Sequence, residues 1–430
     1  MIDSIVKYKN YSKFTNLIKI NFISKLKAMQ LKSLLLSLLL MSFICENVVG
    51  QQSSRNDIMK NLITENYALA ESQYTLMMKS VPSGRLPQSY DATKNQLLSR
   101  EITWWCSGFY PGSLLYIYEQ TKSETIKTEA LRALKVIEPN QYYTGNHDLG
   151  FMMYCSYGNA YRLFKDENYK QIIFNAAASL ATRYRPTMQS IQSWNKNQYF
   201  NCPVIIDNMM NLEMMNWVSQ NGGDAKYQQI AVTHSNTSMK EFYRPDYSSY
   251  HVVDFDEKTG KVLRKTTHQG AANTSAWSRG QAWGLYGYIT MYRATKNIAY
   301  LNHAKKIAAF YLNHPNLPAD KVPYWDFDAG QQPIAKRDAS AAAITASALM
   351  ELAQYAKGEE KEKYINDGVK MIQSLSNETY RAKEGENGGF LIKHCVGALT
   401  LNSEIDVPLV YADYYFLEAL KRYKDWYLNN

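Results

Sequence analysis

Ala339-Ser-Ala-Ala-Ala-Ile-Thr-Ala-Ser-Ala-Leu-Met350, followed shortly by Glu359-Glu-Lys-Glu-Lys-Tyr-Ile-Asn-Asp367, is the stretch whose pattern decides the fold. A helix built from the first run is small and apolar on every side, so it is packed all round. One built from the second carries charge and is wetted on one face. Inner helix followed by outer helix is one α/α hairpin, and the alternation recurs along the chain. Apolar residues at helical spacing predict helices near 56–80, 109–121, 124–137, 149–165, 167–184, 207–220, 223–243, 276–295, 298–313, 338–356, 360–375 and 407–425. They pair into six hairpins and predict an all-α fold, an (α/α)6 barrel. An open α-solenoid is the competing architecture, because the pattern does not prove closure. The one β signal is Tyr250-His-Val-Val-Asp-Phe-Asp-Glu-Lys-Thr-Gly-Lys-Val-Leu-Arg-Lys-Thr-Thr-His268, two alternating runs around a turn ending in Gly260. It predicts a small β-hairpin insertion near a cleft at one end of the barrel.

At 430 residues and 46% apolar content the chain can bury a large core. Its 34 Tyr and 8 Trp suit either sugar stacking or a Tyr-rich helical core. The formal charge of +9 is a poor guide to partners. Residues 1–50 carry seven Lys against Asp3 and Glu46, a net of +5 that leaves +4 for the rest. That balance leaves no footprint for nucleic acid and tolerates an anionic small substrate. The run Met29-Gln-Leu-Lys-Ser-Leu-Leu-Leu-Ser-Leu-Leu-Leu-Met-Ser-Phe-Ile-Cys-Glu-Asn-Val-Val-Gly50 has a basic start, an apolar stretch too short to span a bilayer and small residues at its end. It reads as a signal peptide and predicts export to the periplasm. Residues 1–28 then form an upstream extension, and 51–430 a single domain. Lipoprotein anchoring through Cys45 is the weaker reading, since Ile44 is a poor residue to precede it. Cys106, Cys155, Cys202 and Cys395 lack metal-ligand spacing and are too sparse for a disulfide scaffold, so buried thiols are expected.

Chemistry concentrates where helices begin. In Pro203-Val-Ile-Ile-Asp-Asn-Met-Met-Asn-Leu-Glu-Met-Met-Asn-Trp217 an apolar run delivers Asp207 to the head of an amphipathic helix. Asp207 is then either an N-cap or a partly desolvated acid able to hold or return a proton near neutral pH. Asp148, in Gly145-Asn-His-Asp-Leu-Gly-Phe151, has similar surroundings and tips the balance toward chemistry. The loops also hold Trp104 and Trp105, Trp194, His251, His268-Gln269-Gly270 and Trp277-Ser-Arg-Gly-Gln-Ala-Trp283. Arg279 and Trp283 share one helix face. There a guanidinium can grip a carboxylate while the indole stacks on a sugar, or the arginine is buried against a structural acid. His251 is either a hydrogen-bonded structural histidine or a site residue. His147, His251 and His268 lack the spacing of a metal set, so neither metal nor cofactor is expected.

Trp105-Cys-Ser-Gly-Phe-Tyr-Pro-Gly-Ser-Leu114, His147-Asp-Leu-Gly-Phe151, Ile206-Asp-Asn-Met-Met-Asn-Leu212, Gln269-Gly270, Trp277-Ser-Arg-Gly-Gln-Ala-Trp-Gly-Leu-Tyr-Gly287, Asp338-Ala-Ser-Ala-Ala-Ala-Ile344 and Tyr411-Ala-Asp-Tyr-Tyr-Phe-Leu-Glu-Ala-Leu420 occur in an order that resembles the unsaturated glucuronyl hydrolases of glycoside hydrolase family 88. The resemblance implies an (α/α)6 barrel that removes the 4,5-unsaturated uronic acid from the non-reducing end of lyase-generated, glycosaminoglycan-type oligosaccharides. It makes Asp207 the general acid/base and Asp148 the second essential carboxylate. His251, Arg279 and Trp283 would surround the unsaturated ring, Gln269 would bind substrate, and Trp105 and Trp194 would stack. The Cys106 position and the stretch Asn402-Ser-Glu-Ile-Asp-Val-Pro408 depart from the commoner pattern, which bears on subsite preference. Two carboxylates facing one pocket repel, so Asp148 is expected to raise the proton affinity of Asp207. Competing readings are an unsaturated rhamnogalacturonyl hydrolase of family 105 and a non-catalytic sugar-binding helical protein. Monomer and homodimer both remain open.

Overall fold

A computed structural model of the chain describes residues 2–330 and 334–428; along the first helix, side chains are described at 14–27, 29–33 and from 55 onward. Cys45 and most side chains of the predicted signal segment 29–50 therefore lie outside the described residues. The chain divides into two compact units, 1–60 and 61–430. Among the described residues 14–33 of the smaller one, apolar side chains such as Phe14, Phe22 and Met29 are exposed. Among the described residues no helix is long and apolar enough to cross a membrane.

In the larger unit the two kinds of helix expected from the sequence are both present. α1 (Ile2–Met77) contributes its residues 61–77; then come α2 (Phe109–Thr121), α3 (Glu124–Ile137), α4 (Asn159–Phe164), α5 (Glu167–Ala181), α6 (Leu212–Gln220) and α7 (Lys226–Glu241). α8 (Ser278–Thr295), α9 (Ile298–Asn313), α10 (Ala339–Leu352), α11 (Gly358–Leu375) and α12 (Val410–Tyr423) complete the set. Every residue of α10 is buried. By contrast, α3 buries only Ile126, Ala130, Ala133, Leu134 and Ile137, one stripe at helical spacing.

α2 packs on α12, α12 on α10, α10 on α8 and α8 on α6. α6 in turn meets a π-helical segment, Gly150–Gly158, that runs into α4 and packs back on α2. The inner ring is closed, so the fold is the (α/α)6 barrel and not the open solenoid. Tyr67 and Tyr74 tie the end of α1 to α12 through hydrogen bonds to the Leu417 carbonyl (2.8 Å) and the Asp413 carboxyl (3.2 Å). Because each outer helix returns the chain, the inner helices run parallel. Their N-terminal ends, with the segments that lead into them, meet at one end of the barrel.

The predicted hairpin is present as β6 (Val252–Phe255) and β7 (Val262–Thr266), but the sequence conceals a third strand. β5 (Cys202–Ile205) pairs antiparallel with β6, Ile205 opposite Val252. In sequence it is only an apolar approach to a helix, because its partner lies far along the chain. The hairpin β1 (Arg85–Asp91) with β2 (Gln96–Glu101), the two-residue strands β3 (Tyr184–Arg185) and β4 (Ser190–Ile191), and the pair β8 (Cys395–Ala398) and β9 (Ser403–Val407) were also not foreseen. These strands are too short or too irregular to show a period of two. The cysteines from 106 onward are free, and all but the half-buried Cys155 are buried.

Where β5 ends, Ile206–Asn211 form a 3-10 turn wedged against α8. Gly287 permits that approach, for a Cβ there would sit 2.5 Å from the Met209 Cβ and 3.1 Å from its carbonyl carbon. Gly287→Ala is therefore expected to destabilise the barrel by about 1–3 kcal/mol, as overpacking does, and to slow turnover by displacing the turn that carries Asp207. Urea unfolding with parallel kinetics checks this; an unperturbed midpoint and rate would contradict the packing.

Candidate active site

The register of β5 against β6 brings the first two site residues together. The Ile206 N–H donates to the His251 carbonyl at 3.0 Å, so Asp207 emerges beside the histidine that precedes β6. Of the two readings the sequence allows for its carboxyl, the helix cap does not hold. Ile205 occupies the cap position of the 3-10 turn, the α-helix starts only at Leu212, and neither terminus has a side-chain cap. Asp148 likewise caps nothing, since Leu149 holds the cap position of the π-helical segment. Both carboxyls are thus free of the backbone duty that would have been the structural explanation for them.

One side chain locks the two acid-bearing turns together. Asn211 accepts from the Gly150 N–H at 2.8 Å, and its amide nitrogen lies 3.4 Å from Nδ1 of His147. His147 Nε2 is 3.3 Å from Asp148 Oδ1, and the Asp148 N–H is held by Asn146 Oδ1 at 3.0 Å. Arg183 secures the next loop by donating to the carbonyls of Thr144 (2.7 Å) and Gln192 (2.8 Å) and to Asn195 Oδ1 (3.2 Å). Trp194 stands in that loop with its ring 5.2 Å from His268. Sequence reasoning passed over Asn211 and Arg183. The polar Asn208-Met-Met-Asn211 spacing inside a Met-rich run was the available signal for the first.

Burial without compensation sets the protonation of the acids. Asp148 and Asp207 are each 8% exposed. Loss of hydration pushes Asp148 up to about 8, with the charge of Asp207 adding to the effect and Arg183 opposing it. Asp207 is pushed up to about 7 by burial, against the pull of Arg279, its own backbone N–H and the nearby Trp283 indole. The repulsion expected between the two carboxyls is present, the charge of Asp207 raising Asp148. Oδ2 of Asp207 has no hydrogen-bond partner, and the same holds for Nε2 of His251 and Nε1 of Trp283. His251 Nε2 lies 3.8 Å from that oxygen.

The remaining predicted residues fall into two groups. Arg279 is 1% exposed; it donates to Asp338 Oδ2 (2.7 Å) and to the carbonyls of Val396 and Gly397. Its guanidinium lies over Trp277 (4.6 Å) and Tyr411 (5.3 Å). This is the arginine paired with a structural acid, and it reaches the site through its charge on Asp207. Trp283 is fully buried between Phe151 (5.1 Å) and Tyr415 (5.4 Å), so it presents its N–H and not a stacking face. The half-buried Trp105, 4.9 Å from Tyr411, and Trp194 are the rings available to a ligand. Gln269 joins two walls, its side chain donating to the Gly397 carbonyl (2.9 Å) and its N–H to His251 Nδ1 (3.1 Å).

Because both acids ionise near pH 4 in the unfolded chain and hold protons to about 7 and 8 when folded, the folded state binds more protons across that range. Stability must therefore fall as pH rises from 4 to 8. Asp148→Asn removes its share. Its stability relative to the wild type should improve by up to about 4 kcal/mol between pH 5 and pH 8. Denaturant titrations at the two pH values measure this, and an equal difference at both would show Asp148 to be ionised in the fold.

Residues 77–428 match the model of Glycosyl Hydrolase Family 88. The chain is 40% identical over 374 residues to the unsaturated glucuronyl hydrolase of Formosa agariphila, which covers 86% of this chain and 93% of that protein. Among solved structures, an unsaturated glucuronyl hydrolase described as specific for heparin aligns with a TM-score of 0.82 and 45% identity, over 85% of this chain and 97% of that chain. A variant of the Streptococcus agalactiae unsaturated glucuronyl hydrolase, complexed with dGlcA-GalNAc6S, aligns with a TM-score of 0.71 and 29% identity, over 85% and 92% of the two chains. Matched in sequence and in fold over most of its length, the chain belongs to glycoside hydrolase family 88.

Proposed function

We propose that this chain is an unsaturated glucuronyl hydrolase that removes the 4,5-unsaturated uronic acid from glycosaminoglycan-derived oligosaccharides, with Asp207 as the proton donor and acceptor. The observation that carries the reading is a pair of buried carboxyls that cap no helix, each beside an imidazole that burial keeps neutral, on turns locked to each other by Asn211. A non-catalytic sugar binder has no use for two acids kept protonated against their solution preference.

The substrate is an enol ether, its ring oxygen bonded to C5 of the C4=C5 bond. Asp207 gives its proton to C4, and the positive charge develops at C5 with the ring oxygen sharing it. Water adds to C5 and returns a proton to the Asp207 carboxylate. The C5 hemiketal opens to a ketone, and the hemiacetal left at C1 releases the leaving sugar as an alcohol. One water is consumed and no displacement occurs at C1, so the carboxylate spacing rule of ordinary glycosidases does not apply. Asp148, itself kept protonated by burial and by the charge of Asp207, opposes a double negative charge in the site. Arg279 keeps Asp207 from being too weak an acid to protonate carbon. Trp105 and Trp194 offer rings on which sugars stack.

Asp207→Asn should abolish the loss of ultraviolet absorbance at the C4=C5 bond while leaving disaccharide binding measurable by calorimetry; undiminished turnover would remove Asp207 from the reaction. In the wild type, kcat/KM should fall about tenfold per pH unit once pH exceeds the Asp207 value of about 7, and a rate that rises through that range would mean the ionised form is the active one. The substrate class is read from a panel of lyase-generated disaccharides from heparin, chondroitin and hyaluronan.

Export through the 29–50 segment is part of the same proposal, since such oligosaccharides are too polar to cross a membrane unaided. N-terminal sequencing of the mature protein should begin at Gln51, and a blocked or lipidated Cys45 would replace that assignment with a membrane anchor.

A further inference from the structure

His251 has its two ring nitrogens in different situations. Nδ1 faces the backbone N–H groups of His268 and Gln269, each at 3.1 Å. A nitrogen that receives two N–H donors carries a lone pair and no proton, so in the neutral ring the hydrogen sits on Nε2. Nε2 is buried without a partner and lies 3.8 Å from Oδ2 of Asp207, which also has none. That separation is too long for a direct hydrogen bond. One oxygen set to the side of the line joining them, within hydrogen-bond reach of each, accepts from Nε2–H and donates to Oδ2.

We infer that the peptide N–H groups of His268 and Gln269 lock His251 as its Nε2–H tautomer, and that His251 and Asp207 together hold the water that adds to C5. The inference rests on the proposed hydration chemistry. A water so placed uses one lone pair for the imidazole N–H and one hydrogen for the carboxylate, leaving its other lone pair for the electron-poor carbon. The proton it loses goes to Asp207. His251 itself cannot take that proton, because Nδ1 is occupied and Nε2 already bears hydrogen.

The surroundings hold the ring in this state. It is 3% exposed, with the Trp277 ring at 4.6 Å and Trp194 edge-on at 6.3 Å. Burial above all, and then His268, Arg279 and His147, disfavour a charge on it, so its pKa lies well below the ordinary histidine value. The acid within ion-pair distance of it among the described residues is Asp207. A proton on Nδ1 would point at two other N–H groups, which no rotation of a ring fixed between Trp277 and Trp194 relieves.

Long-range 1H–15N spectra of histidine-labelled protein, with the His251 signals assigned by their loss in His251→Gln, read the tautomer directly. A neutral Nε2–H ring that does not titrate between about pH 5.5 and 8 is expected; an Nδ1–H ring, or titration in that window, overturns the lock. His251→Leu should lower kcat about 100-fold, as loss of one positioned donor does, with KM within twofold, and His251→Gln should recover part of it by restoring an N–H. A raised KM with kcat intact would show that Nε2–H binds a sugar hydroxyl, and the water assignment falls. If the wild type turns over no unsaturated disaccharide, the functional reading fails and takes the water assignment with it, while the spectra still decide the lock.

Discussion

A guanidinium taken out of water has to be matched by fixed acceptors, and in this barrel that requirement sits at the centre of the site. Arg279, at the start of α8, is met by Asp338 and by the carbonyls of Val396 and Gly397. The other oxygen of Asp338 accepts from the Ser340 N–H at 3.1 Å and so caps α10. One cation thereby joins two inner helices and the β8–β9 pair. The Gly397 carbonyl also accepts from Gln269, whose own N–H fixes His251. Removing either partner of such a pair leaves a buried charge uncompensated, which costs about 3–5 kcal/mol.

The acids in front of this frame follow the opposite rule. Asp148 and Asp207 are buried and left largely unpaired, and for that reason they keep their protons. Asp413 shows that burial by itself is not the signature of a site. It too is pushed up to about 7, yet it accepts from the N–H groups of Leu391 and Ile392 at 2.9 Å and from Tyr74. It joins α1 and α12 to the segment leading into β8, which is structural work. What separates the candidate pair from Asp413 is that neither carboxyl ties distant backbone segments together, while aromatic rings and imidazoles stand beside them.

Much of this was legible in the chain. The alternation of small apolar and amphipathic helices marked the hairpins, and helix bounds such as 109–121, 124–137 and 298–313 coincide with those observed. The hairpin at 252–266 and the two acids were also readable, because a helix or hairpin leaves its period in consecutive residues. Of the two readings the local sequence allows for Asp207, N-cap or desolvated acid, the structure removes the cap. A cap and an orphan carboxyl have the same sequence, and the difference lies in whether the following turn is α or 3-10.

The local pattern therefore determined which segments are helices, which of them lie inside, and where the chemistry-bearing residues stand along the chain. Tertiary structure decided that the ring closes, that β5 pairs with a distant β6 to set Asp207 beside His251, and that Arg279 faces Asp338. It also turned Trp283 so that its N–H, not its ring, meets the site. Periodicity is a property of neighbours in sequence. The partner of a buried polar group is chosen by whichever residue the packing of the whole barrel brings within about 3 Å.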